Sequence, residues 1–165
     1  MNEIQISIKL ALQNWDREVK RLDNLLEKIS NEELLKEVSP GRNTGIYLLG
    51  HLIAASESLI LLLGLGEKLF PELEAIFIKA PDKSGQNMPG PDVLREMWKK
   101  SSTHLMGLLD SINPIDWYNR HHSISEEDFL REPHRNKLSV LLTRTIHHAY
   151  HSGQIALLIP KNEPQ

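Results

Sequence analysis

The sequence predicts an all-α protein built as a four-helix bundle. Three observations point to it. Long runs carry apolar residues every three or four positions, as one buried helical face requires. Capping and stop residues stand where those runs begin and end. Alternating apolar and polar stretches, which a half-buried strand would need, are scarce. The chain has 165 residues, 40% hydrophobic and 25% charged, the balance of an ordinary globular domain. No internal repeat or low-complexity run divides it, so residues 1–165 are expected to form a single domain.

The first long run places Ile4, Ile8, Leu12, Trp15, Val19, Leu22, Leu26 and Ile29 on one stripe. Ser30 with Glu33 makes a capping-box pattern for a short second piece, ending near Pro40 and Gly41. Asn43 or Thr44 can cap the second long helix, about residues 45 to 63, which Gly64 and Gly66 stop. This stretch is nearly apolar and long enough to suggest a membrane span. Ser56, Glu57 and Ser58 gather in its middle, so a helix inside a bundle is the better reading, and no membrane is expected.

Pro71 opens a short piece through Ile78, and the prolines and glycines from Ala80 to Pro91 make a long connection. Pro91 suits the first position of the third long helix, lined on one side by Val93, Met97, Leu105, Leu108 and Ile112. Asn113-Pro114 stops it and begins a turn containing Trp117. Residues 119 to 137 read as polar and irregular, apart from a turn at Ser125 to Leu130. The fourth long helix runs from about Leu138 to Ile159, where Pro160 ends it. Its core face would hold Leu138, Leu141, Leu142, Thr145, Ala149, Ile155 and Leu158. Two connections are long, so chain neighbours need not be hairpin partners.

Composition excludes several chemistries. A net charge of -3 gives no basic footprint, so no nucleic acid is expected as a partner. The absence of cysteine removes disulfides, thiolate metal sites and a cysteine nucleophile together. There is no G-x-S-x-G elbow and no Gly-rich phosphate loop. Met1 to Leu10 lacks a basic region and a cleavage site and reads as the start of a helix. Nothing argues for secretion, and a cytoplasmic protein is expected.

Eight histidines remain, at positions 51, 104, 121, 122, 134, 147, 148 and 151. His147 and His151, four apart on a helix, project side by side about 40° apart around its axis, as two ligands of one ion require. His148 and His151 are three apart and can also converge; the four-residue pair is favoured, but spacing permits either. By itself the pattern is weak, because a chain this rich in histidine produces such pairs by chance. His51 is the one histidine of the second long helix, and alone it reads as a core histidine with backbone partners. Small Gly50, Ala54 and Ala55 beside it would let another helix or a metal approach. His104 is the rival third ligand, in the wetter company of Lys99, Lys100, Ser101 and Ser102. His121, His122 and His134 fall in loops and read as solvated.

Two segments, GIYLLGHLIAASESL at 45–59 and TIHHAYHSGQIALL at 145–158, resemble the DinB family of helical-bundle proteins. That family includes YfiT-like metal-dependent hydrolases and is related to thiol-dependent transferases. In it, one histidine on the second helix joins an H-x-x-x-H pair on the last, commonly followed by a small residue and Gln. His51 matches the first position, His147 and His151 match the pair, and Ser152-Gly153-Gln154 follow. The resemblance therefore implies a DinB/YfiT-like bundle with short extra helices in its long loops, and a metal held by His51, His147 and His151. The segment SEEDFLREPHRN at 125–136 also resembles a stretch found in one branch of the family.

Three neutral imidazoles leave coordination positions open for water or substrate. Such ligands suit zinc or nickel first, with iron, copper or manganese as alternatives. The resemblance implies hydrolysis or transfer to a low-molecular-weight thiol, with a small-molecule substrate. Glu57, Tyr47, Arg144 and Tyr150 are the polar groups nearest in sequence, and none is assigned a catalytic role. The competing reading is a non-catalytic stress-response or interaction module whose metal is structural or incidental. The resemblance also implies a homodimer, for which Trp15, Trp98 and Phe77 would be aromatic anchors if exposed.

Overall fold

The structure, a computed structural model, describes residues 1–160. Helix accounts for 67% of them, and no strand occurs among the described residues. The four long helices are α1 (Glu3–Lys28), α3 (Gly45–Leu63), α5 (Pro91–Asp110) and α7 (Lys137–Ile155). Three short ones lie in the connections: α2 (Asn31–Leu34), α4 (Leu73–Phe77) and α6 (Glu126–Arg131). The expected caps are in place, with Ser30 and Glu33 closing a capping box on α2 and Thr44 accepting from the Tyr47 amide on α3. Gly64 stops α3 in the left-handed conformation at φ 70°.

Each long helix packs chiefly on two others. α1 lies against α7 and α5, and α3 lies against α5 and α7. Helices consecutive in the bundle's chain order, α1 and α3 or α5 and α7, are therefore diagonal, which only long connections allow. The Arg95 side chain ties α5 to α1 by donating to the Leu26 and Ile29 carbonyls, at 2.6 and 2.5 Å. It thereby satisfies carbonyls that the end of α1 leaves without a helical donor.

Fifteen of the nineteen residues of α3 are buried, which is why it is apolar on nearly every side. It is the one helix among the described residues long and apolar enough to cross a membrane, and its burial inside the bundle accounts for that composition.

Several expectations about faces need correction. In α5 the buried line is Leu94, Trp98, Ser101, Leu105 and Leu109, while Val93 is exposed and Met97, Leu108 and Ile112 sit at its edge. In α7 the core line is Leu141, His148, Ser152 and Ile155, and Leu142 is exposed. Leu105, Leu141, Ile155 and Leu158 are buried as expected, and the rest of each face was missed because the buried lines include the polar residues Ser101, His148 and Ser152. Trp15, Trp98 and Phe77 are all core residues and cannot be exposed anchors. α7 ends at Ile155 and tightens into a 3₁₀ turn, Ala156–Leu158, ahead of Pro160.

Candidate metal centre

The α3–α7 contact brings His51, His147 and His151 together, each half-buried. One ring nitrogen from each lies within 4.8 Å of the other two. It is the one such cluster of histidine and carboxylate side chains among the described residues, and no carboxylate belongs to it. His51 Nε2 and His147 Nε2 are 3.1 Å apart. Two nitrogens sharing a metal at about 2.0–2.1 Å stand roughly 2.9–3.4 Å apart, so this pair already has metal-ligand spacing. Bringing the third nitrogen to that spacing takes at most about 1.5 Å of side-chain movement.

The outward nitrogens decide which atoms face the centre. His51 Nδ1–H donates to the Phe77 carbonyl at 2.8 Å. That bond leaves the lone pair on Nε2, aimed at His147. His151 Nδ1–H likewise donates to the Gln154 side-chain oxygen at 2.7 Å, which leaves its own Nε2 as the ligand atom. This is the arrangement of metal-binding histidines, whose far nitrogen is held by a fixed acceptor. His147 Nδ1 is buried without a hydrogen-bond partner. Two lone pairs 3.1 Å apart repel, so a proton or a cation must lie between His51 and His147. The donor set fits a divalent ion.

The surroundings favour the neutral form of His147 and His151, the form that binds metal. Burial, followed by the charges of His151, Arg144 and His51, pulls His147 down to about 4. His151 is also lowered, mainly by burial, against an opposing effect of its bond to Gln154.

The Phe77 acceptor depends on Gly50. A Cβ at Gly50 would lie 2.3 Å from the Phe77 ring, so only glycine lets that ring rest on α3 one residue before His51. Gly50 therefore makes room for Phe77 rather than for a helix of the bundle or a metal. Tyr47 stacks on His51, with centroids 6.3 Å apart, and donates to the Ala80 carbonyl at 2.8 Å.

The remaining histidines separate clearly. His148 points into the core between Trp15 and Trp98, with ring centroids 5.5 and 5.4 Å away. It is fully buried and faces away from the cluster, as the reading of His147 with His151 requires. His104, His122 and His134 are exposed. His121, expected to be solvated, is buried. Glu57 is buried too, and its carboxylate accepts from the Phe70 amide at 2.8 Å, a structural task.

A family model described as the DinB superfamily matches residues 14–155, a span that contains all three histidines. The chain belongs to the DinB superfamily. Among solved structures, a conserved protein from Enterococcus faecalis has the same fold, with a TM-score of 0.59 at 14% identity. The match covers 96% of this chain and 98% of that one, and at such identity it speaks for the fold alone. No curated protein matches the chain. This DinB-superfamily bundle and its three-histidine cluster are compatible with a metal-binding protein.

Two of the supporting contacts leave little trace in the sequence. Gln154 was legible only as part of a family pattern, although its three-residue spacing from His151 on a helix signals the contact. The Phe77 carbonyl carries no signal, because a backbone acceptor depends on where the chain passes.

Proposed function

We propose that this DinB-superfamily protein is a metal-dependent enzyme for a small-molecule substrate, with one divalent ion held by His51, His147 and His151. The observation that carries the reading is the Nε2 pair 3.1 Å apart, with the outward nitrogens of His51 and His151 fixed on acceptors. Three protein ligands leave room for water or substrate, whereas closed structural zinc sites have four. An all-imidazole set suits zinc, nickel, copper or iron, and zinc or nickel is the ion proposed. The bound ion would lower the pKa of a water to about 7 or polarise a substrate donor. The family resemblance favours hydrolysis or transfer to a low-molecular-weight thiol.

Metal analysis of tag-free protein should find about one ion per chain. Calorimetric titration with zinc and nickel should show severe loss of affinity in His51→Ala, His147→Ala and His151→Ala. His148→Ala and His104→Ala should bind within a few-fold of wild type. Unchanged affinity in His51→Ala would mean that the third ligand is misassigned.

The proposal includes a homodimer. Leu142, Ile146, Tyr150 and Leu157 are exposed apolar residues along one side of α7 and its terminal turn. A contiguous exposed stripe of this kind suits self-association. Light scattering should give a dimer mass for wild type and a monomer mass for Ile146→Glu. A monomer at every wild-type concentration would remove this part of the proposal.

A further inference from the structure

Beside the histidine cluster lies a second feature that the metal does not use. A cavity of about 300 Å³ opens along α7, lined by His147 and by Arg144, Arg135, His121, Ser139 and Thr143. No carboxylate lines it. Arg144 is half-buried, makes no ion pair among the described residues, and its Nε is shielded from solvent without a hydrogen-bond partner. A shielded guanidinium N–H left without an acceptor is costly, and the guanidinium fork matches the paired oxygens of an oxyanion.

Two neighbours, Arg135 and His121, can also donate into the cavity, whereas the Ser139 and Thr143 hydroxyls donate to carbonyls of their own helix and its cap. Arg135 is held at the rim by Glu132, at 3.0 Å. His121 Nδ1 accepts from the Ser123 amide at 3.3 Å and lies 2.9 Å from the Ser123 hydroxyl. Its proton is therefore on Nε2, which has no acceptor among the described residues. Burial, and then positive charge from Arg135 and Arg120, holds His121 below its ordinary value. Burial lowers Arg144 as well. The lining thus carries two guanidinium groups, of which only Arg135 has a carboxylate partner, and that partner, Glu132, does not line the cavity.

We propose that this cavity is an oxyanion subsite, in which Arg144, assisted by Arg135 and His121 Nε2–H, holds a carboxylate or phosphate group. Because His147 is both a wall of the cavity and a member of the cluster, the anionic end of a molecule bound here directs the rest of it toward the ion. That second statement rests on the metal reading; the anion subsite itself does not. A volume of about 300 Å³ restricts the bound portion to something small.

The test uses ¹⁵N-labelled full-length protein, dialysed free of chelator, titrated at pH 7 with inorganic phosphate and separately with succinate. Saturable shifts at residues 135–147 and at His121 are expected, and the tighter of the two titrants identifies the oxyanion class. Arg144→Gln should weaken binding at least tenfold, and Arg144→Lys by less, since a lysine keeps the charge and loses the fork. Arg135→Gln, at an exposed position, should weaken binding several-fold and decides the matter if the Arg144 variants misfold. Zinc should bind Arg144→Gln at least as tightly as wild type, because a positive charge near His147 has been removed. Anion affinity unchanged in Arg144→Gln, or in Arg135→Gln if Arg144 variants misfold, would overturn the subsite. Shifts confined to other residues would do the same. Wild type that binds phosphate or succinate but no zinc would leave the subsite standing and remove the metal reading.

Discussion

Adjacent residues on α7 meet opposite environments, and their different tasks follow from that. His147 turns toward α3 and the cluster, whereas His148 enters the core between two tryptophans. His148 makes a 3.3 Å contact with Ser152 through Nδ1, and its Nε2 has no partner. Burial, then the charges of His147 and His151, pulls His148 down to about 4 from an ordinary 6.5. Between those values the unfolded chain takes up protons that the folded, metal-free chain refuses, so acid favours unfolding. The stabilising effect is complete above about pH 6.5 and is lost as the pH falls toward 4. One such group contributes a slope of up to about 1.4 kcal/mol per pH unit, and His147 adds a second. Urea unfolding of metal-free protein should therefore show lower stability at pH 5 than at pH 7.5. His148→Phe should flatten that dependence by about one proton, measured as the change in slope. An unaltered slope would exclude His148 as one of the titrating groups.

At the scale of elements, the site depends on how α4 rests against α3. Gly50→Ala sets two effects against each other. Alanine favours a helix interior by about 0.5–1 kcal/mol over glycine. Its Cβ would stand 2.3 Å from a Phe77 ring that is fully buried and cannot swing away. Overpacking of that kind costs typically about 1–3 kcal/mol, so net destabilisation of about 1–2 kcal/mol is expected. Zinc affinity should fall with it, because Phe77 carries the carbonyl that orients His51. Gly107→Ala is the control: nothing lies within 4 Å of its Cβ, and it should stabilise. Equal effects of the two substitutions in urea titration would contradict the packing argument. The same contact marks where the sequence stops being legible. Helix boundaries could be read closely, since caps such as Ser30 and Thr44 and stops such as Gly64 act locally. The faces of α5 and α7 were read less well, because Ser101, His148 and Ser152 occupy core positions that a hydrophobic pattern skips. His147 and His151 were legible as a pair from helical spacing. That His51 would meet them, and Phe77 would hold it, depends on α3 lying beside α7, which no local pattern encodes.

For the whole molecule, a metal at this centre would act as a cross-link between distant parts of the chain. His51 and His147 are 96 residues apart in sequence and belong to adjacent helices of the bundle. In the unfolded chain, bringing them together closes a long loop at an entropic cost, so a preformed site favours the folded state strongly. Any ion that binds the folded chain alone stabilises it by mass action, by about 2.7 kcal/mol at a hundredfold excess over its Kd. For a domain of this size that corresponds to a rise in Tm of about 5–10 °C. Zinc added to metal-free protein at pH 7.5 should produce this rise in a calorimetric scan, and a chelator should reverse it. His51→Ala should keep its helical spectrum yet lose the response, because the two histidines left on α7 no longer connect it to α3. His104→Ala, at an exposed position on α5, should respond as wild type does. If wild-type Tm were indifferent to zinc and nickel at a hundredfold excess over the chain, the three histidines would have to be read as a hydrogen-bonded cluster. The 3.1 Å contact would then be a hydrogen bond from His147 Nε2–H to the His51 Nε2 lone pair.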